Sequence, residues 1–287
     1  MEFNVNMLSM MREEMIKMRA TLNVAGKEIY VPTGTESGDM RCLIYKPEGV
    51  EGPTPIFFNL HGGGFVMGDP EGDDSFCDLV CKELGITVIS LDYPLAPETK
   101  YPKDKEAAYG MVKYVVEHAD EYGIDPNNMA IGGHSAGGNL STVICMMAKK
   151  SGEFGFKCQV LDFPPLDIAK NPYEKWFAEG AIPPEVAEMF NACYCETPEA
   201  AAEVYCSPVL ETIENLQGMP PAIILTCEID SLRDETEEYG WKLAKAGVEV
   251  TMKRFLGVPH GFTGDPTLPE AAQGRKMMVD GLRKYLL

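Results

Sequence analysis

The sequence predicts one α/β domain built on a mostly parallel, doubly wound sheet, and three observations carry that prediction. Short apolar runs near residues 55–60, 86–91, 129–131, 157–163, 222–227 and 249–255 alternate with segments of helical pattern, which is the rhythm of βαβ units. The run Pro55-Ile56-Phe57-Phe58-Asn59-Leu60 is nearly continuous in apolar residues, as expected of a strand buried on both faces. Finally, Gly132-Gly133-His134-Ser135-Ala136-Gly137-Gly138-Asn139 sits between a short apolar run and a good helix former, so Ser135 falls at a sharp strand-to-helix corner. No linker rich in Pro, Ser and Gly divides the 287 residues, so residues 1–287 read as a single domain.

The elements follow in order. Leu8, Met11, Met15 and Met18 recur at spacings of three and four on an otherwise charged segment, which predicts an amphipathic helix over 8–18. Strands at 27–31 and 40–46 flank the turn-forming segment 33–38 and predict an antiparallel hairpin. The buried strand 55–60 ends in His61-Gly62-Gly63-Gly64-Phe65. A helix at 73–84, a strand at 86–91, a proline-containing loop at 92–98 and a long helix at 103–121 lead to the strand that enters the Ser135 corner. After the helix 140–149 and the strand 157–163, Pro164-Pro165 interrupts the rhythm until about residue 207. Helices are predicted there at 173–179, 184–194 and 198–205, and an excursion of this kind at the C-terminal edge of a sheet reads as a cap. Regular alternation returns with a strand at 222–227, a helix at 234–246, a strand at 249–255 and a closing helix at 269–287.

Composition narrows the function. A net charge of −19 repels phosphate backbones and anionic lipid surfaces, so neither nucleic acid nor a membrane is expected as a partner. No apolar run approaches the ~18 residues of a membrane span, and the acidic start carries no basic-then-apolar leader pattern, so a cytoplasmic protein is expected. The nine cysteines are odd in number and scattered, which predicts reduced thiols in place of a disulfide framework. Cys77 and Cys81 lie at helical spacing and Cys193 and Cys195 are close in sequence, yet neither pair has the histidine or second cysteine pair that zinc requires. No metal is expected.

The Ser135 corner has the form of a nucleophile elbow. Gly133 and Gly137 leave the space that side chains would occupy beside a strained serine, and the turn aims the Ala136 N–H toward a developing oxyanion. The three glycines after His61 allow further N–H groups to approach a ligand closely. A phosphate-cradling loop is excluded by the lack of a following Gly-Lys-Ser/Thr. A serine nucleophile needs a base, and there are four histidines. His61 sits in the glycine loop, His134 points away from its neighbour Ser135, and His118 lies within a predicted helix, which leaves His260 in the loop after the last strand. The acid belongs after the strand 222–227, where Glu228, Asp230 and Asp234 are candidates. Asp234 begins a helix and has a capping role of its own, and Glu228 is close to the strand end, so Asp230 is chosen. In the excursion, Trp176, Phe177, Met189, Phe190 and Tyr194 can roof a pocket above Ser135, with Phe65, Val209 and Phe262 as walls.

With His-Gly-Gly-Gly, Asp92-Tyr93-Pro94-Leu95-Ala96-Pro97-Glu98, Gly-His-Ser-Ala-Gly-Gly-Asn, Asp230-Ser231-Leu232-Arg233-Asp234-Glu235 and His-Gly-Phe in this order, the chain resembles the hormone-sensitive-lipase-like family of α/β-hydrolase esterases from about Pro55 to its end. The resemblance implies the α/β-hydrolase fold, with Ser135 as nucleophile, His260 as base and Asp230 as orienting acid. It also implies an oxyanion hole from the N–H groups of Gly62, Gly63 and Ala136, and a cap from about 1–25 together with 165–207. Carboxylic ester hydrolysis without a cofactor, on a small-molecule ester, is the implied activity, and the closed apolar roof predicted above Ser135 makes short acyl chains the expected substrates. Amide hydrolysis, as in formamidases of this fold, is the first alternative. His134 stands where the family more often has Asp, a feature shared with some acetyl-xylan and feruloyl esterases, and the N-terminal cap portion is short for the family. The plant gibberellin receptors resemble this family but lack the catalytic histidine, and the presence of His260 argues against such a non-catalytic binding role. At family level, a homodimer through the strand 249–255 is expected where that strand forms the sheet edge.

Overall fold

A computed structural model describes residues 5–19 and 23–287. Residues 1–4 and 20–22 of the expected cap segment, and the Met18 side chain of the predicted helix stripe, lie outside the described residues. Eight strands form one sheet in the order β1-β2-β4-β3-β5-β6-β7-β8. The hairpin of β1 (Lys27–Pro32) and β2 (Asp39–Tyr45) is antiparallel, as is the pairing of β2 with β4 (Thr87–Leu91). All other pairings are parallel, through β3 (Thr54–Leu60), β5 (Ile124–His134), β6 (Cys158–Asp162), β7 (Ala222–Ile229) and the edge strand β8 (Val250–Pro259).

The near-continuous apolar strands make sense once both faces are covered. Consecutive side chains point to opposite faces, so Phe57, Val88 and Ile223 enter one layer of core while Phe58, Ile89 and Ile224 enter the other. The first layer is closed by α2 (Asp74–Leu84) and α10 (Pro269–Leu286), through Phe76, Val80, Met278 and Leu282. The second is closed by α3 (Lys103–Glu117), α5 (Ala136–Ser151) and α9 (Arg233–Lys245), through Met111, Leu140, Ile144 and Tyr239. Each fully buried aliphatic or phenyl side chain contributes roughly 1.5–3 kcal/mol, so the two layers hold the sheet firmly beneath the site. Cys77 and Cys81, on the inner face of α2, are part of this packing. The N-terminal helix α1 (Val5–Arg19) buries Leu8, and its Arg12 Nε donates to the Val66 carbonyl at 2.6 Å.

Several predicted elements are altered by tertiary contacts. The helix predicted over 103–121 divides at His118, where φ is −115° and the ring Nδ1 lies 2.8 Å from the Tyr114 carbonyl, leaving the four-residue α4 (Ala119–Tyr122). The helix predicted over 173–179 is only a turn, Pro172–Glu174. Lys175 is extended there because its ammonium is drawn inward, 2.6 Å from Glu235 and 2.7 Å from the Asp167 carbonyl. α6 (Pro184–Tyr194) matches its predicted limits, whereas the helix predicted over 198–205 shrinks to α7 (Pro198–Ala201). The Ser207 hydroxyl takes the Ala201 carbonyl at 2.7 Å, an acceptor that a longer helix would need. A short α8 (Ile213–Leu216), capped by Thr212, was not predicted. β8 runs past its predicted end at Phe255 to Pro259, after a register shift opposite Cys227 and Ile229.

Candidate active site

The C-terminal ends of the parallel strands converge on one place, as expected of an open α/β sheet. β3 delivers His61 and the glycine loop, β5 delivers Ser135, β6 ends at Asp162, β7 leads to Asp230, and β8 leads directly to His260. Ser135 has φ 49° and ψ −120°, its N–H donates to the Asp162 carbonyl at 2.8 Å, and its own carbonyl accepts from Gly138 and Asn139. The strain is tolerated because Gly133 and Gly137 let the backbone pass beside the Leu60 carbonyl, where a Cβ at either position would collide. Among the described residues, the non-glycine residues at positive φ are Phe65, Ser135 and Phe163, and all three line the same cavity. Stored backbone strain concentrated at one cavity is a signature of a functional site.

The structure brings Ser135, His260 and Asp230 together. Ser135 Oγ lies 3.0 Å from His260 Nε2, and His260 Nδ1 lies 2.8 Å from Asp230 Oδ2. A carboxylate only accepts, so Nδ1 carries the proton and Nε2 is free to accept the serine hydroxyl. Asp230 is fully buried, and its second oxygen accepts the Leu232 N–H at 3.1 Å. Glu228 is used elsewhere, accepting the Gly257 N–H at 2.7 Å, and the exposed Asp234 pairs with its neighbour Arg233 at 2.9 Å. The glycine loop packs over the elbow, with Gly63 at φ 128° beside the Met67 backbone. Among the described residues, the N–H groups of Gly62, Gly63 and Ala136 meet no acceptor. His61, by contrast, is buried, stacks on Tyr93 at 4.2 Å and holds its Nδ1 2.7 Å from the Gly62 carbonyl, a structural role for the loop.

Ser135 and His260 open on a cavity of about 550 Å³. Of the three predicted walls Phe65 lines it, as does Phe190 from the predicted roof. Val209 and Phe262 do not: the Val209 N–H is bound to the Leu166 carbonyl within the core, and Phe262 is packed against Phe255, 4.8 Å between ring centres. The expected roof is also redistributed. Trp176 lies over the Arg233 guanidinium, Phe177 is exposed, and Tyr194 is buried behind Phe65 with the rings stacked at 3.9 Å. Met15, on the methionine stripe of the N-terminal helix, also lines it, and the apolar walls that sequence reasoning missed include Met67, Ile168, Ile182, Val186 and Leu232, none of which stands out from any core aliphatic before the chain is folded.

The family model for the α/β-hydrolase fold matches residues 57–264. The chain belongs to the hormone-sensitive-lipase-like family of α/β-hydrolase esterases. It is 35% identical over 259 residues to the carboxylic ester hydrolase LipN of Mycobacterium tuberculosis, covering 87% of this chain and 68% of that one. It is 30% identical over 231 residues to the ethyl acetate hydrolase of Pseudomonas putida, covering 79% of this chain and 72% of that one. Across such curated relatives it spans from just under two thirds, at 65%, to 86% of their length. The crystal structure of the thermostable carboxylesterase EstE1, cloned from a metagenomic library, superposes with a TM-score of 0.87 at 31% identity, covering 98% of each chain.

Within this hormone-sensitive-lipase-like member, two histidine–carboxylate pairs lie side by side. His134 Nδ1 is 2.6 Å from Asp162 Oδ2, which also accepts from Thr263 Oγ1 at 2.6 Å, and His134 Nε2 is 3.8 Å from Asp73. Burial pulls the His134 imidazole down, but the Asp73 charge and the Asp162 hydrogen bond outweigh it and push it up to about 9. An imidazolium has no lone pair to receive the serine proton, which removes His134 as a rival base. Asp162 was missed at the sequence level, although a lone carboxylate closing a fully buried strand is a signal that could have found it. At His260, burial again favours the neutral ring, yet the charge and hydrogen bond of Asp230 prevail and raise it above the ordinary 6.5. With His260 as the base, which must be neutral to accept the serine proton, kcat/KM should fall as pH drops through a midpoint above 6.5. Initial rates on a neutral aryl ester from pH 5 to 9 check this, and a midpoint at or below 6.5 would contradict it.

Proposed function

We propose that this chain hydrolyses short-chain carboxylic esters through an acyl-enzyme on Ser135, with the α1 helix and the 165–207 excursion acting as its cap. The observation that most supports this reading is the relay of Ser135, His260 and Asp230 at 3.0 Å and 2.8 Å, opening on a cavity beside unpartnered N–H groups. The names of the relatives as a carboxylic ester hydrolase and an ethyl acetate hydrolase support ester chemistry. In the first step His260 takes the Ser135 proton as the oxygen attacks the ester carbonyl, and the Gly62, Gly63 and Ala136 N–H groups stabilise the oxyanion. His260 then protonates the leaving alcohol. Water, activated by the same imidazole, releases the acid, while Asp230 holds the ring in its tautomer and stabilises its charged form.

The cavity sets the acyl length. Phe65, Phe190, Val186 and Met67 bound it with apolar surface, so each added methylene can contribute about 0.8 kcal/mol until the chain meets a wall. We expect kcat/KM on p-nitrophenyl esters to rise over the first carbons and peak between acetyl and hexanoyl. Graded esters through decanoyl make the test. A value still climbing at decanoyl removes the short-chain assignment, and no hydrolysis of any member removes the esterase reading itself.

A further inference from the structure

Behind the glycine loop and the elbow, away from the serine, the cap brings two thiols into contact. Cys195 closes α6 and Cys206 precedes Ser207, and their Sγ atoms are 3.2 Å apart. Of the nine cysteines, Cys195 is the one residue that is not buried, which makes it the expected point of entry for a dissolved reagent. The surroundings favour a thiolate there. The hydrogen bond from Cys206 holds Cys195 below its ordinary value against the effect of burial, with the charge of Lys105 assisting. Lys105 is itself buried, and its ammonium donates to Asn139 Oδ1 at 2.7 Å. The amide of Asn139, on the elbow helix α5, donates in turn to the Cys206 carbonyl at 3.1 Å and to the Pro165 carbonyl at 2.7 Å. A poised thiolate touching a second, shielded thiol is the arrangement of an attacking and a resolving cysteine.

We propose that Cys195 and Cys206 are a redox modification site that a low-molecular-weight disulfide converts reversibly into a cap disulfide. The Cys195 thiolate attacks one sulfur of the small disulfide, whose S–S bond breaks and releases one thiolate. Cys206 loses its proton and attacks the Cys195 sulfur, forming the protein S–S bond and expelling the second thiolate. The two protein thiols are oxidised by two electrons, and the reagent is reduced to two thiols that take up the protons. The sulfurs need to close by only about 1.2 Å to reach a bond length of about 2.05 Å. The new bond ties the end of α6, which carries Val186 and Phe190 into the cavity, to the segment where Ser207 Oγ accepts the Ile168 and Ala169 N–H groups at 2.8 and 3.2 Å. Closing residues 195–206 into a loop restricts the unfolded chain, so the oxidised form melts higher. None of this depends on ester hydrolysis.

The test is to treat the folded chain with oxidised glutathione at neutral pH, remove the reagent, denature and count thiols. Two of the nine should be lost and return with dithiothreitol, and peptide mapping should show one bridge, Cys195 to Cys206. The melting temperature should rise by a few degrees. Cys206→Ser should stop at a single glutathione on Cys195, and Cys195→Ser should lose no thiol. Retention of all nine thiols, a bridge between any other pair, no glutathione on Cys206→Ser, or an unchanged melting temperature on oxidation would each overturn the proposal.

Discussion

Ser135→Ala should lose ester hydrolysis by roughly 10⁴-fold to 10⁶-fold while keeping its far-ultraviolet circular dichroism and melting behaviour. The size follows from the proposed mechanism, in which loss of Oγ leaves no acyl-enzyme and only the residual effect of binding and the oxyanion donors. The fold should persist because alanine removes one hydroxyl whose partner, His260 Nε2, faces the open cavity. The Ser135 N–H, bound to the Asp162 carbonyl at 2.8 Å, is untouched. Purified variant assayed against p-nitrophenyl butyrate decides it. Activity within tenfold of the parent would remove Ser135 as the nucleophile. A serine-directed phosphonate provides the complementary readout, adding mass at Ser135 in the parent and none in the variant.

His260→Ala should fall by a similar factor, because in the proposed mechanism nucleophile and base act as one unit and neither works alone. Asp230→Asn should cost less, roughly 10²-fold to 10⁴-fold, since it leaves the base in place and disturbs its tautomer and charge. Asp234→Asn should stay near the parent, as its exposed carboxylate meets Arg233 and not the imidazole. The ordering is the informative part. An Asp234 variant more damaged than the Asp230 variant would mean that the carboxylate 2.8 Å from Nδ1 is not the one that orients the ring in solution. A His260→Ala variant of parental activity would move the base elsewhere. The pH limb expected above 6.5 should vanish along with the residual rate's dependence on this ring.

Local chemistry decided much of this protein. The apolar runs and the helix stripes fixed an α/β sheet because a strand that is apolar on both faces has to be covered on both, and Phe57 and Phe58 entering opposite layers is that rule at work. The elbow was legible for the same reason: glycines at 133 and 137 around a serine have few other physical uses. So were His260 and Asp230, since strand ends in this topology share one edge and there were few histidines to choose from. What the sequence could not decide was whatever depended on partners far along the chain. Lys175 leaves its predicted helix to meet Glu235, Ser207 cuts α7 short, and Asp162 binds His134 across adjacent strands. The cavity walls belong to the same class. Phe262 and Val209 are as apolar as Phe190 and Met67, and only the tertiary packing sends one pair into the core and the other to the cavity. Hydrophobic burial is non-directional, so pattern tells which residues leave water; the tertiary structure alone decides which of two apolar environments receives them.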